Sequence, residues 1–297
     1  MKNLWPLLRF VFSHPLTKDH KVSAFFRVVK WQVMANVFRL PVVWPFVGNT
    51  RLLVKKGMNG ATGNVYTGLH EFEEMGFLLH LLRPGDLFGD IGANIGSYSI
   101  LAAGVAGSNS VSVEPILTTF LNLKHNVAVN DLESISELHH AGVGASPGKL
   151  YFTKTRDTIN HVVPEGNTAG EETEEVNVLT LDQLFKDRSP VLLKIDVEGF
   201  ELSVLQGATN LLQSPGLKGL IIEINGACNR YGIKEEEIHQ LLLSYNFKPV
   251  LYAPFDRSFT PATTFNPHGN TIYIRDEKWV AERVTGAKKI KVLDSTI

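Results

Sequence analysis

Two short stretches concentrate the residues whose types and spacing could do chemistry. In the first, an apolar run ends in Asp90-Ile-Gly92-Ala93-Asn94-Ile-Gly96. Glycine lets a backbone approach a ligand closely, and a helix opening by Gly96 is expected to present free N–H groups. The run Ser110–Val113 then ends at Glu114-Pro115, with Glu114 24 residues after Asp90. An acid at the end of such a strand accepts hydrogen bonds from ribose hydroxyls. A plain strand-to-helix turn would explain the glycines but not an acid at each of two successive strand ends. Together these features describe a nucleoside pocket, with Asp90, Gly92, Ala93, Asn94, Gly96, Glu114 and Pro115 as its candidate lining.

Local chemistry separates two kinds of nucleoside. A dinucleotide site wants G-x-G-x-x-G, so that a pyrophosphate can sit on the turn. Here the spacing is Gly92-x-x-x-Gly96, Asn94 stands where the middle glycine should be, and Asp90 would repel a pyrophosphate. S-adenosylmethionine carries an ammonium and a sulfonium and no phosphate, so acids suit it. The methyl donor is the favoured cofactor. An NAD(P)-dependent oxidoreductase and a non-catalytic nucleoside-binding module are the alternatives.

The second stretch is Val191-Leu-Leu-Lys194-Ile-Asp196-Val-Glu198-Gly199-Phe-Glu201. It reads as a buried strand that delivers three ionisable groups at its C-terminal end, where open parallel sheets bind ligands. Lys194 and Asp196 share one strand face and are close enough to pair. Asp196 and Glu198 could serve only the following helix's N-terminus. That leaves a lysine inside an apolar strand unexplained, because unpaired burial is expensive.

The elements that position these groups follow from hydrophobic periodicity. Strands are expected at 86–91, 110–113, 137–143, 191–196, 217–224, 247–252 and 271–275, with helices at 71–82, 94–106, 116–129, 198–213 and 234–245. Strands alternating with helices imply βαβ units and a doubly wound, mostly parallel α/β sheet. The last two strands have no helix between them and should form an antiparallel edge pair. Two further strand-like runs, 149–152 and 176–179, flank a polar loop at 153–175 whose acidic run reads as solvated surface. Residues 51–66 read as a small hairpin with Gly-rich turns.

These stretches resemble the FkbM-type S-adenosylmethionine-dependent methyltransferases. The resemblance rests on Tyr66-Thr-Gly-Leu-His-Glu-Phe-Glu-Glu-Met, Arg83 to Tyr98, Ser112-Val-Glu-Pro, Leu179-Thr-Leu-Asp182, Leu193 to Ala208 and Gly269-Asn-Thr-Ile-Tyr. It covers roughly residues 60–275 in the family's motif order. It implies a seven-stranded class I methyltransferase fold, Rossmann-like, and O-methylation of hydroxyls on sugars, glycolipids or secondary metabolites. Gly89 departs from the family's β-branched residue, which we attribute to packing.

Methyl transfer to oxygen requires an aligned hydroxyl and a group to share its proton. Asp196 is the first candidate, Glu198 the second, and Lys194 would tune both. His161 is the rival base, because a histidine titrates near neutrality. The polar loop 153–175 and the segment 253–270 are the expected substrate covers. No histidine spacing suggests a metal site, so no metal is expected to be required, although a carboxylate cluster could hold Mg²⁺.

Composition bounds the rest. The 297 residues are 44% hydrophobic and 20% charged, with net charge −1, which gives no reason to expect a nucleic-acid partner. Cys228 is the single cysteine, so no internal disulfide or thiolate zinc site is expected, consistent with a reducing cytoplasm. No signal peptide or spanning helix is expected. Residues 1–60 read as a basic, amphipathic helical extension and 61–297 as the methyltransferase domain. Residues 1–47 hold seven basic side chains and one acid, Asp19. Val22, Phe25, Phe26, Val29, Val33 and Val37 fall on one helical stripe. That stripe suits either packing on the domain or peripheral contact with an anionic inner membrane surface. Oligomeric state is not legible.

Overall fold

The computed structural model describes residues 4–37, 40–154, 160–163 and 172–297. Its main sheet has eight strands, numbered here in chain order: β1 Leu87–Ile91, β2 Asn109–Glu114, β3 Ser136–His140, β4 Leu192–Ile195, β5 Gly219–Ile224, β6 Lys248–Ala253, β7 Ser258–Pro261 and β8 Gly269–Ile274. Their order across the sheet is β7-β6-β8-β5-β4-β1-β2-β3. The five strands from β3 to β5 are parallel. The expected antiparallel pairing of β6 with β8 is present, but β8 inserts between β5 and β6 instead of sharing an edge with its partner. The seven expected strands are joined by an eighth, β7, which hairpins back on β6 and forms the outer edge.

Side chains alternate across the central strands, as the period of two requires. Ile221 of β5 and Phe88 of β1 pack with Phe77, Leu78 and Leu81 of the helix Phe72–Leu81. Leu220, Ile222, Leu193 and Ile195 point the other way, into a cluster with Val204, Leu212, Ile238 and Leu242. Helices therefore cover both faces. Gly89 belongs to this packing, since a Cβ there would lie 2.4 Å from Leu193 Cδ2 and 2.9 Å from Phe185 Cζ.

Three local expectations need correction. The hairpin pairs Val42–Pro45 with Arg51–Val54, and the glycine-rich residues after it form a helix, Asn59–Thr67. Tertiary contacts override poor helix propensity there. Ala61 and Val65 are buried, and the missing side chain of Gly63 admits the His70 ring, whose Nδ1 would be 2.4 Å from a Cβ. The helix expected over 198–213 is two, Glu201–Gln206 and Thr209–Gln213. The break falls where Gly207 meets the Gly144 carbonyl oxygen, 2.2 Å from a would-be Cβ. A C-terminal helix, Glu277–Thr285, was not legible in the sequence. Cys228 is buried in a 3₁₀ turn just after β5.

The runs at 149–152 and 176–179 do pair, within strands Gly148–Thr153 and Thr173–Leu179 of a separate four-stranded sheet. Much of the polar loop between them, residues 155–159 and 164–171, lies outside the described residues. At the N-terminus, helices Leu4–Ser13 and Lys21–Val37 add Val11, Ala24, Val28 and Trp31 to the cluster that holds Ala61, Ala93, Ile95 and Leu123. No helix among the described residues is long and apolar enough to cross a membrane. Because Trp31 shares this cluster with the glycine turn, Trp31→Ala should cost about 3–5 kcal/mol. Urea unfolding should still show one transition with a lower midpoint; a separate early transition would indicate that the N-terminal helices unfold independently.

Candidate active site

β1 and β4 lie side by side, with Asp90 opposite Lys194 in register. From β1 the chain runs outward to β2 and β3, then returns to β4 on the other flank of β1. That reversal is the topological switch point, whose carboxyl-end crevice is the usual ligand site of open α/β sheets. A cavity of about 480 Å³ opens there.

The glycine turn forms one wall. Gly92 has φ +78°, and a Cβ on it would stand 1.8 Å from the Asp196 carbonyl oxygen. The end of β4 thus rests directly on the turn. The amides of the turn itself are bonded within the protein. Gly92 and Ala93 donate to the Val113 carbonyl, and Gly96 donates to Ala93. Asn94 donates from its backbone to Glu114 Oε2 at 3.0 Å, and Ile95 donates to Asn94 Oδ1 at 2.8 Å. All five N–H groups from Gly92 to Gly96 are spent internally. Gly96 itself is off the cavity wall, packed against Leu123 with φ +89°.

The candidate acids face the same space. Glu114 Oε1 accepts from the Ile116 amide at 3.0 Å, and burial pushes its carboxyl up to about 7 against the pull of its amide bonds. Asp90 is 1% exposed and accepts from Ser99 Oγ at 2.5 Å. Burial raises it to about 6, opposed by Lys194 and Ser99. Asp90, Gly92, Ala93, Asn94, Glu114 and Pro115 all line the cavity.

Lys194 is 4% exposed, and its Nζ donates to Asp196 Oδ2 at 2.6 Å. The ammonium also sits 4.9 Å from the centroid of the Tyr98 ring. Burial alone would lower its pKa, but Asp196, then Glu71 and Asp90, outweigh that and hold it above the ordinary lysine range. Carboxylate oxygens of Asp196, Glu198 and Glu223 lie within 4.8 Å of one another, a spacing that could hold a cation. Burial and the Asp196 charge push Glu198 up to about 7 and Glu223 up to about 9. Glu198 sits at φ +54°, followed by Gly199 at +99°. Glu201 Oε1 locks this bend by accepting from the Gly199 and Val197 amides at 2.9 and 3.3 Å.

Sequence reasoning missed Glu71 and its partners. Glu71 stands at the N-cap of the Phe72–Leu81 helix yet makes no side-chain cap bond. It accepts instead from Tyr98 Oη at 2.6 Å and Asn270 Nδ2 at 2.7 Å, which links the cavity to β8. An acid before an apolar helix looks like a cap in sequence, and only its place in the Tyr66–Met75 family stretch marked it out. His161 is not on the cavity wall; its neighbour Asn160 is, with Phe152 and Val162. Asp182, within a quoted motif, caps the Thr209–Gln213 helix by accepting from the Asn210 and Leu211 amides. The segment 253–270 is also absent from the wall. Its first part, through residue 261, forms the β6–β7 hairpin at the far sheet edge, where Phe255 packs on Phe72 and the Arg257 guanidinium binds the carbonyls of Ala287 and Ile297, while residues 269–270 begin β8 beside β5.

The fold is an open, doubly wound α/β sheet with an acid-lined cavity at its switch point. The family described as "Methyltransferase FkbM domain" matches residues 90–249, more than half of the chain, and the chain belongs to that family. It is 30% identical over 170 residues to the hexuronic acid methyltransferase AglP of Haloferax volcanii, a match that covers 56% of this chain and 64% of that protein. The FkbM methyltransferase structure from Methylobacillus flagellatus covers 86% of this chain and 60% of its own at 16% identity, with TM-score 0.42. A methyltransferase from Thiobacillus denitrificans in complex with S-adenosyl-L-homocysteine covers 50% of this chain and 46% of its own at 14% identity, with TM-score 0.31.

A ligand that carries hydroxyls and a cation should depend on the ionised forms of Asp90 and Glu114. Glu114→Ala should weaken S-adenosylhomocysteine binding by about 1.5–3 kcal/mol through loss of charge-assisted bonds. Wild-type affinity should be full above about pH 7 and fall as pH drops through the raised values of both acids. For folding the sign is opposite: a fold that raises these pKa values favours the neutral acids and loses stability as they ionise with rising pH. Titration calorimetry across this range checks the binding; a pH-independent affinity would show that neither carboxylate meets the ligand.

Proposed function

We propose that the chain transfers a methyl group from S-adenosylmethionine to a hydroxyl oxygen of a sugar, glycolipid or secondary metabolite. One observation carries the choice of cofactor: every amide of the 92–96 turn is spent internally, and the cavity it borders is lined with acids. A pyrophosphate would meet an unfavourable potential there, and the turn's own amides are already bonded. An ammonium, a sulfonium and ribose hydroxyls would find both charge and acceptors. Asp90 and Glu114 are the groups assigned to hold them, with Gly92, Ala93, Asn94 and Pro115 shaping the wall. When bound, the cofactor supplies an electrophilic methyl group.

The rest of the work falls to the chain's own residues. Asp196 is assigned to orient the acceptor hydroxyl and take its proton. Its Oδ2 accepts from the Lys194 ammonium, while its side chain remains 26% exposed on the cavity wall. Glu223, raised to about 9, is a neutral acid near pH 7 and can donate to a second oxygen of the acceptor. Lys194 positions Asp196 and does not itself reach for substrate. Among the described residues on the cavity wall it is the one lysine or arginine. Although AglP is named for a hexuronic acid, this acid-rich wall favours a neutral hydroxyl-bearing acceptor over a carboxylate.

Calorimetry with S-adenosylhomocysteine and with NADH tests the cofactor, since the oxidoreductase reading requires NADH binding and the non-catalytic reading predicts binding of neither. We expect S-adenosylhomocysteine to bind and NADH not to. Asp196→Asn is nearly isosteric and should leave that affinity within about twofold while lowering turnover by about 10²-fold or more, the usual scale of a positioned base. Full turnover in Asp196→Asn together with its loss in His161→Ala would move the base to the loop.

A further inference from the structure

The helix Lys21–Val37 is apolar on two sides. Ala24, Val28, Trp31 and Ala35 are buried against the domain. Val22, Phe25, Phe26, Val29, Val33 and Val37, the stripe read from helical spacing, lie on the other side and are 40–72% exposed. Leu40, just beyond the helix, is 76% exposed. Scattered exposed apolar residues are ordinary, but a contiguous row along one helix marks an interaction surface.

Its borders are cationic. At about 100° per residue, Lys21 and Lys30 flank the stripe on opposite sides. Both are exposed, as are Arg9 and Lys18 before them. Seven basic residues stand against Asp19 in the first 47, and Asp294 adds one acid at the border through its bond from Ser23 Oγ. A second copy joined through this stripe would bring two cationic borders together, so charge favours an anionic partner.

We propose that this face docks on an anionic lipid bilayer, the helix lying in the headgroup plane with its apolar stripe inward and Lys21 and Lys30 at the level of the phosphates. The helix is firmly coupled to the cavity. Arg27 Nε donates to the Tyr66 carbonyl at 3.0 Å, and Gln32 Nε2 donates to Tyr66 Oη at 2.8 Å. Tyr66 belongs to the helix Asn59–Thr67, whose Gly60, Ala61 and Asn64 line the cavity. Docking would hold the cavity one helix layer from the bilayer, within reach of a lipid-attached acceptor. The docking itself does not depend on the methyl-transfer reading.

Co-sedimentation of the full chain with vesicles of phosphatidylcholine, with and without phosphatidylglycerol, tests this. The chain should pellet with the phosphatidylglycerol vesicles and be released as salt rises from about 0.1 M to about 1 M, where the Debye length falls to about 3 Å. Phe26→Glu combined with Val33→Glu changes exposed positions only. It should weaken partitioning at least about tenfold while melting temperature and S-adenosylhomocysteine affinity stay put. Lys21→Ala combined with Lys30→Ala should weaken partitioning and flatten its salt dependence. Absence of pelleting at low salt, equal pelleting with the neutral vesicles, or equal pelleting of the Phe26/Val33 variant would overturn the proposal. Vesicle-independent self-association that the same variant abolishes would reassign the face to a second copy of the chain.

Discussion

A lysine ammonium buried at the sheet's switch point is the constraint on which the rest of the site depends. Lys194 is set in register against Asp90 by the pairing of β4 with β1 and meets Asp196 at 2.6 Å. Leaving such a charge uncompensated would cost several kcal/mol, and removing one partner of a buried pair typically costs about 3–5 kcal/mol. The surrounding elements are arranged to prevent that. Tyr98 presents its ring face to the ammonium and passes its hydroxyl to Glu71, which Asn270 of β8 holds from the other side. Strands from both halves of the sheet and the helix before β1 therefore converge on one cation.

The same centre leaves the cavity with more acids than bases. Burial raises Asp90, Glu114, Glu198 and Glu223 above the ordinary carboxylate range, and Asp196 adds to the raising of each. The protein thus holds partly neutral acids whose ionisation becomes favourable when a cation enters. An acid-walled cavity with a sealed glycine turn is selective by repulsion as much as by attraction. The bend at Glu198-Gly199, held by Glu201, keeps these carboxyls clustered despite their like charge.

The N-terminal helices are part of the same mechanical unit as the glycine turn, through the core shared by Trp31, Ala61, Ala93 and Ile95. A helix apolar on two sides can be anchored to the domain by one and leave the other free. The small residues Ala24 and Ala35 on the buried side allow close approach, while bulky Phe25, Phe26 and the valines stand outward.

Much of this was determined by the sequence alone. Strict alternation of apolar strands and helices specified the parallel sheet, because each pattern is incompatible with the other's period. Asp90, Glu114, Lys194 and Asp196 were legible because charges at the ends of apolar runs contradict burial unless they have partners. What only the tertiary structure decided were relations between residues distant in the chain. Glu71 reads as a helix cap until Tyr98 and Asn270, 27 and 199 residues away, are brought to its oxygens. That the amides of Gly92, Ala93 and Asn94 are turned onto Val113 and Glu114 of the neighbouring strand is invisible in the local sequence. The 253–270 segment reads as a substrate cover until β8 inserts beside β5 and residues 253–261 fold into the far edge as the β6–β7 hairpin. Helical spacing placed Val22 to Val37 on one stripe, but two apolar sides compete for the core in that helix. Which of them faces inward is settled by the shape of the surface it meets, and periodicity carries no information about that surface.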